Sequence, residues 1–331
     1  MTTVADIGER ALIERIRARL TSPAWVLVGP GDDAAVIEPE RRMADVLTTD
    51  ALVEGIHFDR RFCPPDASGH KALAVNLSDL AAMGALPRAA LLSLVLPGEL
   101  PASDVDGLLD GLLALAARHR VTLIGGNITR SPRSGPVVVD VTAMGAVAPR
   151  RILRRSGARP GDEVYVTGTV GSGAAGLQAF RENAELADAQ ARYLRPDPRV
   201  RAGLMLGRNR AATACMDLSD GLADAIRQVS AASGVGMAIE AAALPIQDEV
   251  RAWFVQRRAD PAIAAIAGGD DYELLFTSRP AQRGRLRVAS SHMGSLPITR
   301  IGVVTKERRI VLKTAAGEQE LPHGFEHFKD S

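Results

Sequence analysis

The chain has 331 residues, 40 Lys+Arg against 39 Asp+Glu and a net charge of +1; so small an imbalance, with no basic stripe interleaved with aromatics, argues against a nucleic-acid partner. Hydrophobic residues make up 46% and aromatics 4%, which predicts a core of Ala, Val, Leu and Ile, and the length predicts two domains. Asp6, Glu9 and Glu14 interrupt the N-terminal apolar residues and no apolar run approaches the ~20 residues of a membrane span, so neither signal peptide nor membrane contact is expected and a cytoplasmic location is. Cys63 and Cys215 belong to no CxxC or His-rich pattern and are expected as buried free thiols.

Leu12, Ile16 and Leu20 recur every four residues and predict an amphipathic helix over residues 6–20. Strands follow at WVLV, AAVIE and DVLTTD, then a helix over about 67–83, the strand AALLSLVL, a helix near 103–118, and the strands VTLIGG and PVVVDVTAMGAV. The alternation predicts an α/β fold with helices on one sheet face. Residues 148–163, APRRILRRSGARPGDE, are rich in Arg, Pro and Gly and predict the junction between domains at 1–148 and 149–331. The second domain reads as EVYVTGTV, a Gly-rich turn, helices to about 210, TACMDLSDG opening a helix, GVGMAIE, a helix near 247–257, YELLFT, and the closing strands ITRIGVV and RIVLK.

Five acidic segments lie far apart: GDDAAV at 31–36, TTDALVEGIHF at 48–58, NLSDLAAMGA at 76–85, MDLSDG at 216–221 and GGDDYELLF at 268–276. Asp carboxylates with Ser and Thr hydroxyls suit Mg²⁺, a hard cation that keeps waters and phosphate oxygens in its shell. In isolation GDD is a turn; beside Thr48, Thr49 and Asp50 at the end of a β-rich run it reads as a Mg²⁺ pocket with Asp33. Asn76 and Asp79 share one face of a helix otherwise filled with Ala, Leu and Val, where an unpaired carboxylate is costly; Asp79 is therefore expected to meet a cation. Asp217, Ser219 and Asp220 form an oxygen cluster at a helix N-terminus, where amides favour phosphate, and Asp217 or Ser219 alone could serve as the cap. LIGGN at 123–127 ends a strand in two glycines, leaving Gly126 and Asn127 either in a simple turn or close to a ligand.

GSGAAG at 171–176 matches a dinucleotide fingerprint, but the acidic strand end required about twenty residues on is replaced by Arg195-Pro196-Asp197-Pro198. It reads instead as a close strand-to-helix turn. No GxxxxGK[ST] loop occurs, which excludes a P-loop kinase. The Arg run from Arg150 to Arg159 is a solvated linker or a phosphate contact.

The order and spacing of GDD, TTD…GIHF, KALAVNLSDLAAMGA, LIGGN, DLSDG and GGDDYELLF resemble the thiamine-monophosphate kinase family, from GERALIERI to HGFEHF. Its superfamily includes aminoimidazole-ribotide synthetase, selenophosphate synthetase and a hydrogenase-maturation protein. The resemblance implies a two-domain aminoimidazole-ribotide synthetase-like α/β fold, mixed sheets covered by helices, and a homodimer through the N-terminal domains. It implies ATP-dependent conversion of thiamine monophosphate to thiamine diphosphate by in-line transfer with several Mg²⁺ ions. Metal ligands are then Asp33, Thr48, Thr49, Asp50, Asp79, Asn127, Asp217 and Asp220; ATP contacts are Gly126, Asn127, Arg155 and Ser219; substrate contacts are His57, Glu273 and Phe325. Asp79, Asp217 and Arg155 carry the catalytic charge neutralisation. Many members have Asp where this chain has Asn127, which removes a charge from one metal site. The alternatives are another ATP-using enzyme of the superfamily and a non-catalytic Mg-nucleotide sensor.

Overall fold

Gly8, left-handed at φ 78°, divides the expected N-terminal helix into α1 (Val4–Ile7) and α2 (Glu9–Arg17). A Thr3–Asp6 capping box closes the first piece, satisfying amides that a helix start leaves unpaired. The computed structural model describes residues 2–322 and 324. It divides into two units, one of Met1–Leu80 with Leu86–Pro149 and the other of Ala81–Ala85 with the chain from Arg150 onward.

In the first unit, β1 (Val26–Val28) and β2 (Val36–Ile37) form a small ribbon. The main sheet has four strands in the order β3, β6, β4, β5: β3 is Ala44–Val53, β4 Leu86–Leu96, β5 Thr122–Arg130 and β6 Val138–Val147. Only β4 and β5 run parallel. Helices α3 (Pro65–Ala82) and α4 (Ala102–His119) cover one face, burying Leu92, Leu94, Val139 and Val141. The helices approach closely because Gly69 and Gly111 have no side chain. A Cβ on Gly69 would lie 1.8 Å from the Leu108 carbonyl oxygen, and one on Gly111 would lie 1.8 Å from that of Asp66. The opposite face is open: Leu47 is 68% and Leu91 40% exposed.

The second unit is built on a seven-stranded sheet ordered β13, β12, β9, β11, β7, β10, β8, in which only β12 and β9 pair in parallel. The strands are β7 (Glu163–Thr167), β8 (Ala214–Asp217), β9 (Gly236–Glu240), β10 (Leu274–Ser278), β11 (Ile298–Thr305), β12 (Ile310–Thr314) and β13 (Gly317–Gln319). Its helices are α5 (Ser172–Arg181), α6 (Ala187–Leu194), α7 (Val200–Asn209), α8 (Leu222–Ser233), α9 (Asp248–Gln256), α10 (Pro261–Ala267) and α11 (Arg283–Ser291). Val164, Val166, Met216, Met237, Leu275 and Ile301 of the sheet join Ile226, Val229, Trp253 and Phe254 of the helices in one core. No helix among the described residues is long and apolar enough to cross a membrane.

Candidate active site

Strand β3 carries TTD in its middle, not at a terminus as the sequence suggests, so alternation of side chains sends the three residues to different faces. Thr48 points towards α3, where its hydroxyl donates to the Asp79 carboxylate. Asp50 follows Thr48 on that face. Asp79 is partly exposed although Asn76, Ser78 and Leu80 around it are at 0%; the helix is buried on nearly every side except where this carboxylate emerges. The Asn76 amide nitrogen donates to the Ala72 carbonyl at 3.0 Å, and its oxygen has no protein partner.

Thr49 lies on the opposite, open face, 3.0 Å from the Thr142 hydroxyl and donating to Asp140 at 3.3 Å. Register places Asn127, Ser93 and Asp140 in one row across β5, β4 and β6. A cavity of about 820 Å³ on this side is lined by Asp32 and Asp33 together with Ser93, Asn127, Asp140 and Thr142. Asp33 therefore joins Asn127, while Thr48 and Asp50 are absent from that lining.

Asn127 is mid-strand, with its amide donating to Thr129 at 3.0 Å; the strand does not end at LIGGN as the sequence suggests, and no turn forms there, because β5 continues to Arg130. A Cβ on Gly126 would sit 1.9 Å from the Leu92 carbonyl oxygen, so the glycine is required by the neighbouring strand. His57 accepts the Val53 backbone N–H at Nδ1, 3.1 Å away, which fixes a neutral ring's proton on Nε2. The Lys71 ammonium, nearly fully buried, donates to the His57 carbonyl at 3.4 Å.

In the second unit Asp217 ends β8, 4% exposed, with Ser219 and Asp220 partly exposed beyond it. Neither Asp217 nor Ser219 caps α8: the N-cap is Gly221 at φ 100°, without a side-chain cap bond. Chain reversal needs that left-handed glycine, and the polar side chains are not spent on capping. Arg155 is exposed and donates to Gln228 at 2.5 Å, while Gln228 donates to Asp224 in the first turn of α8 at 2.5 Å.

The 217–220 segment is stitched to GGDDYE. Asp270 and Tyr272 donate backbone N–H groups to the Ser219 and Leu218 carbonyls at 2.8 and 2.9 Å, and Leu218 donates to the Glu273 carbonyl at 2.9 Å. Asp271 turns the other way and accepts from the Gly171 and Gly173 amides at 2.7 and 3.0 Å. This explains GSGAAG: it is the close turn into α5, closed by a carboxylate. Burial raises the Asp271 pKa to about 7; nearby Glu273 and Asp270 add to the rise, and the two amide bonds oppose it.

Glu273 is at 0% exposure. Its Oε2 accepts from Arg199 Nε and from the Thr167 hydroxyl, each at 2.7 Å, and its Oε1 accepts from Arg199 Nη2. The side chain expected to meet substrate is thus held in a bidentate ion pair inside the second unit.

Neither cysteine is in a disulfide and both are buried; burial, then the charge of Asp217, pushes the Cys215 thiol pKa up, away from nucleophilic use. Phe325 lies outside the described residues. Among the described residues no three His, Cys, Asp or Glu side chains converge as a ready metal cage.

Sequence reasoning passed over Asp140 and Arg199. A single Asp inside the apolar strand VVVDVTAMGAV was a usable signal for the first. Arg199 and Glu273 are 74 positions apart, and no local pattern connects them.

Two α/β units with oxygen-rich acidic segments define a protein of the aminoimidazole-ribotide synthetase type. The family models for the AIR synthase related protein N-terminal and C-terminal domains match residues 31–147 and 159–314. The chain is 39% identical to the thiamine-monophosphate kinase of Escherichia coli strain K12, over 97% of this chain and 98% of that one. It is 33% identical to that of Bacillus subtilis strain 168, over 98% and 100%. The crystal structure of thiamine-monophosphate kinase from Stenotrophomonas maltophilia K279a superposes with a TM-score of 0.81 at 39% identity, covering 91% of this chain and 95% of that one. AaThiL complexed with AMPPCP and TMP superposes at 0.77 with 32% identity, over 99% of each chain. A hydrogenase maturation protein in complex with ATP, at 18% identity and a TM-score of 0.78 over 97% of this chain and 98% of that one, shares the fold. The chain belongs to the thiamine-monophosphate kinase family.

Proposed function

We propose that this protein transfers the γ-phosphoryl group of ATP to thiamine monophosphate, giving thiamine diphosphate and ADP. The observation that carries this reading is the match, over 99% of both chains, to AaThiL complexed with AMPPCP and TMP. The acceptor is a phosphate oxygen that is already anionic, so no strong general base is required. Catalysis then consists of aligning that oxygen with the γ-phosphorus and neutralising the charge that spreads over the transferring group.

The donors suit Mg²⁺ by their chemistry. Thr48 and Asp50 on one face of β3 and Asp79 on the helix that covers it, with Asp33, Thr49 and Asn127 on the open side, offer oxygen ligands from carboxylates, hydroxyls and an amide. Asp217 and Asp220 add two carboxylates in the second unit. Mg²⁺ completes its shell with waters and phosphate oxygens and so does not require a three-carboxylate cage, which the described residues do not form. When bound, Mg²⁺ supplies positive charge to the phosphate oxygens and leaves the nucleophile free to approach. Asp79 and Asp217 hold that charge in place, and Gly126, Asn127 and Ser219 contact the nucleotide. Arg155, tethered through Gln228 to Asp224, offers a guanidinium suited to a phosphate. His57 and Phe325 are assigned to the acceptor side; Glu273, enclosed by Arg199 and Thr167, is not.

The protein acts in the cytoplasm as a homodimer through its N-terminal domain, and the exposed Leu47 on the open sheet face is apolar surface such an association would cover. Incubation with ATP, Mg²⁺ and a panel of phosphorylated acceptors tests the reading: thiamine monophosphate should be turned over well ahead of the others. Hydrolysis of ATP without acceptor turnover, or preference for an unrelated acceptor, would replace it.

A further inference from the structure

We infer that Arg199 is a positioning residue for the 217–220 segment, acting through Glu273. The inference rests on the phosphotransfer reading above and gives Glu273 a different task from substrate contact.

Glu273 has no exposed surface, and its oxygens are occupied by Arg199 Nε at 2.7 Å, by Arg199 Nη2 and by the Thr167 hydroxyl at 2.7 Å. The same Thr167 hydroxyl accepts the Leu274 amide at 2.9 Å. Arg199 has a second anchor in Asp197 at 2.7 Å. Space on the remaining side is closed: Gly168 is left-handed at φ 58°, and a Cβ there would lie 1.9 Å from Glu273 Oε1. The carboxylate is therefore enclosed by its partners, with no free edge for a ring.

The backbone of Glu273 faces elsewhere. Its carbonyl accepts the Leu218 amide at 2.9 Å, and β10 continues that pairing with Leu274 opposite Asp217. Just before it, Asp270 and Tyr272 are held at φ 65° and 48°, conformations that cost L-residues energy and persist only where surroundings over-determine them. Their amides bond the carbonyls of Ser219 and Leu218. Three backbone bonds thus join this strained loop to Leu218 and Ser219, within the segment that carries the residues assigned to Mg²⁺ and ATP. The Arg199 fork fixes the loop at its far end. Removing the fork frees Glu273, relaxes Asp270 and Tyr272, and displaces Asp217, Ser219 and Asp220 without touching any of them.

Two variants separate positioning from mere stability. Arg199→Lys keeps the charge and removes the fork; Arg199→Met with Glu273→Gln removes both charges, so no buried ion is left unpaired. For each, melting temperature, Mg·AMPPCP affinity by calorimetry, and KM for ATP and for thiamine monophosphate are measured. The expected result is a melting temperature within a few degrees of the parent, Mg·AMPPCP affinity lowered ~10-fold or more, as for other groups that orient ligating residues, and the acceptor KM within about twofold of the parent. The single Lys variant should fall between parent and double variant. Parent-like nucleotide affinity in a folded variant would overturn the inference, as would a raised acceptor KM with ATP parameters unchanged, which would return Glu273 to substrate contact. If the parent itself failed to bind Mg·AMPPCP, the phosphotransfer reading would fall first, and the calorimetry makes that outcome distinct.

Discussion

The Thr48 hydroxyl donates to the Asp79 carboxylate, joining the middle of an edge strand of the four-stranded sheet to a partly exposed carboxylate near the end of a helix otherwise largely buried. The bond orients Asp79 and leaves its second oxygen for another partner. It also ties two segments that are 31 positions apart, both rich in hard oxygen donors.

Asp79→Asn should lower phosphoryl transfer by at least ~100-fold, the scale of losing one charge-stabilising group, while the melting temperature stays within a few degrees. Thr48→Val should produce a smaller loss, recovered in part by raising Mg²⁺. Steady-state rates over a Mg²⁺ titration check both. Near-parent turnover of Asp79→Asn at low Mg²⁺ would remove Asp79 from the site.

Asp271 predicts a pH dependence of stability. Its pKa is raised from the ordinary 3.8 to about 7, chiefly by burial, so the folded state favours the protonated form. A raised pKa contributes stability that is full below 3.8, falls as pH rises towards 7 and is absent above it. The shift corresponds to ~4 kcal/mol. Denaturant unfolding from about pH 4 to 8 should show the parent losing stability relative to Asp271→Asn by up to that amount; parallel curves would contradict it.

Gly126→Ala should destabilise the protein by about 1–3 kcal/mol, the range for forcing a methyl group into filled space. The added Cβ would meet the Leu92 carbonyl 1.9 Å away, which obliges β5 to move off β4. Urea unfolding measures the loss. An unchanged midpoint would mean that β5 tolerates displacement at this position.

Much of this architecture was legible in the sequence. The helices over 67–83 and 103–118 emerge as α3 and α4 with ends displaced by one or two residues, because long apolar periodicity specifies a buried helix directly. Helix α11 and strand β13 went unread: α11 is Arg-rich with only Leu286 and Ala289 buried, and β13 has three exposed residues. At the site, the identities of TTD and GGDDYE pointed to oxygen chemistry, but not to which face each side chain takes. That depends on strand phase, which assigns Thr48 to α3 and Thr49 to Asp140. Nor could local pattern reveal that Glu273 is enclosed by Arg199.

Asn127 lies in one row with Ser93 and Asp140, beside a cavity that also holds Asp32 and Asp33. If it binds a Mg²⁺ shared with ATP, Asn127→Asp should lower the Mg²⁺ concentration for half-maximal rate, since a carboxylate strengthens a hard-cation site. Crowding with the three neighbouring carboxylates works against this and would appear as a raised KM for ATP. A Mg²⁺ titration at two ATP concentrations separates the effects. Unchanged dependence on both would take Asn127 out of the metal set.

The most direct test of the whole account is a discontinuous assay with purified protein, γ-labelled ATP, Mg²⁺ and thiamine monophosphate, resolving the products by chromatography. Label is expected in thiamine diphosphate, formed in equal amount with ADP, and none without the acceptor. ADP with label only in inorganic phosphate, or no consumption of ATP while Mg·AMPPCP still binds, would contradict it and leave a nucleotide-binding protein with a different task.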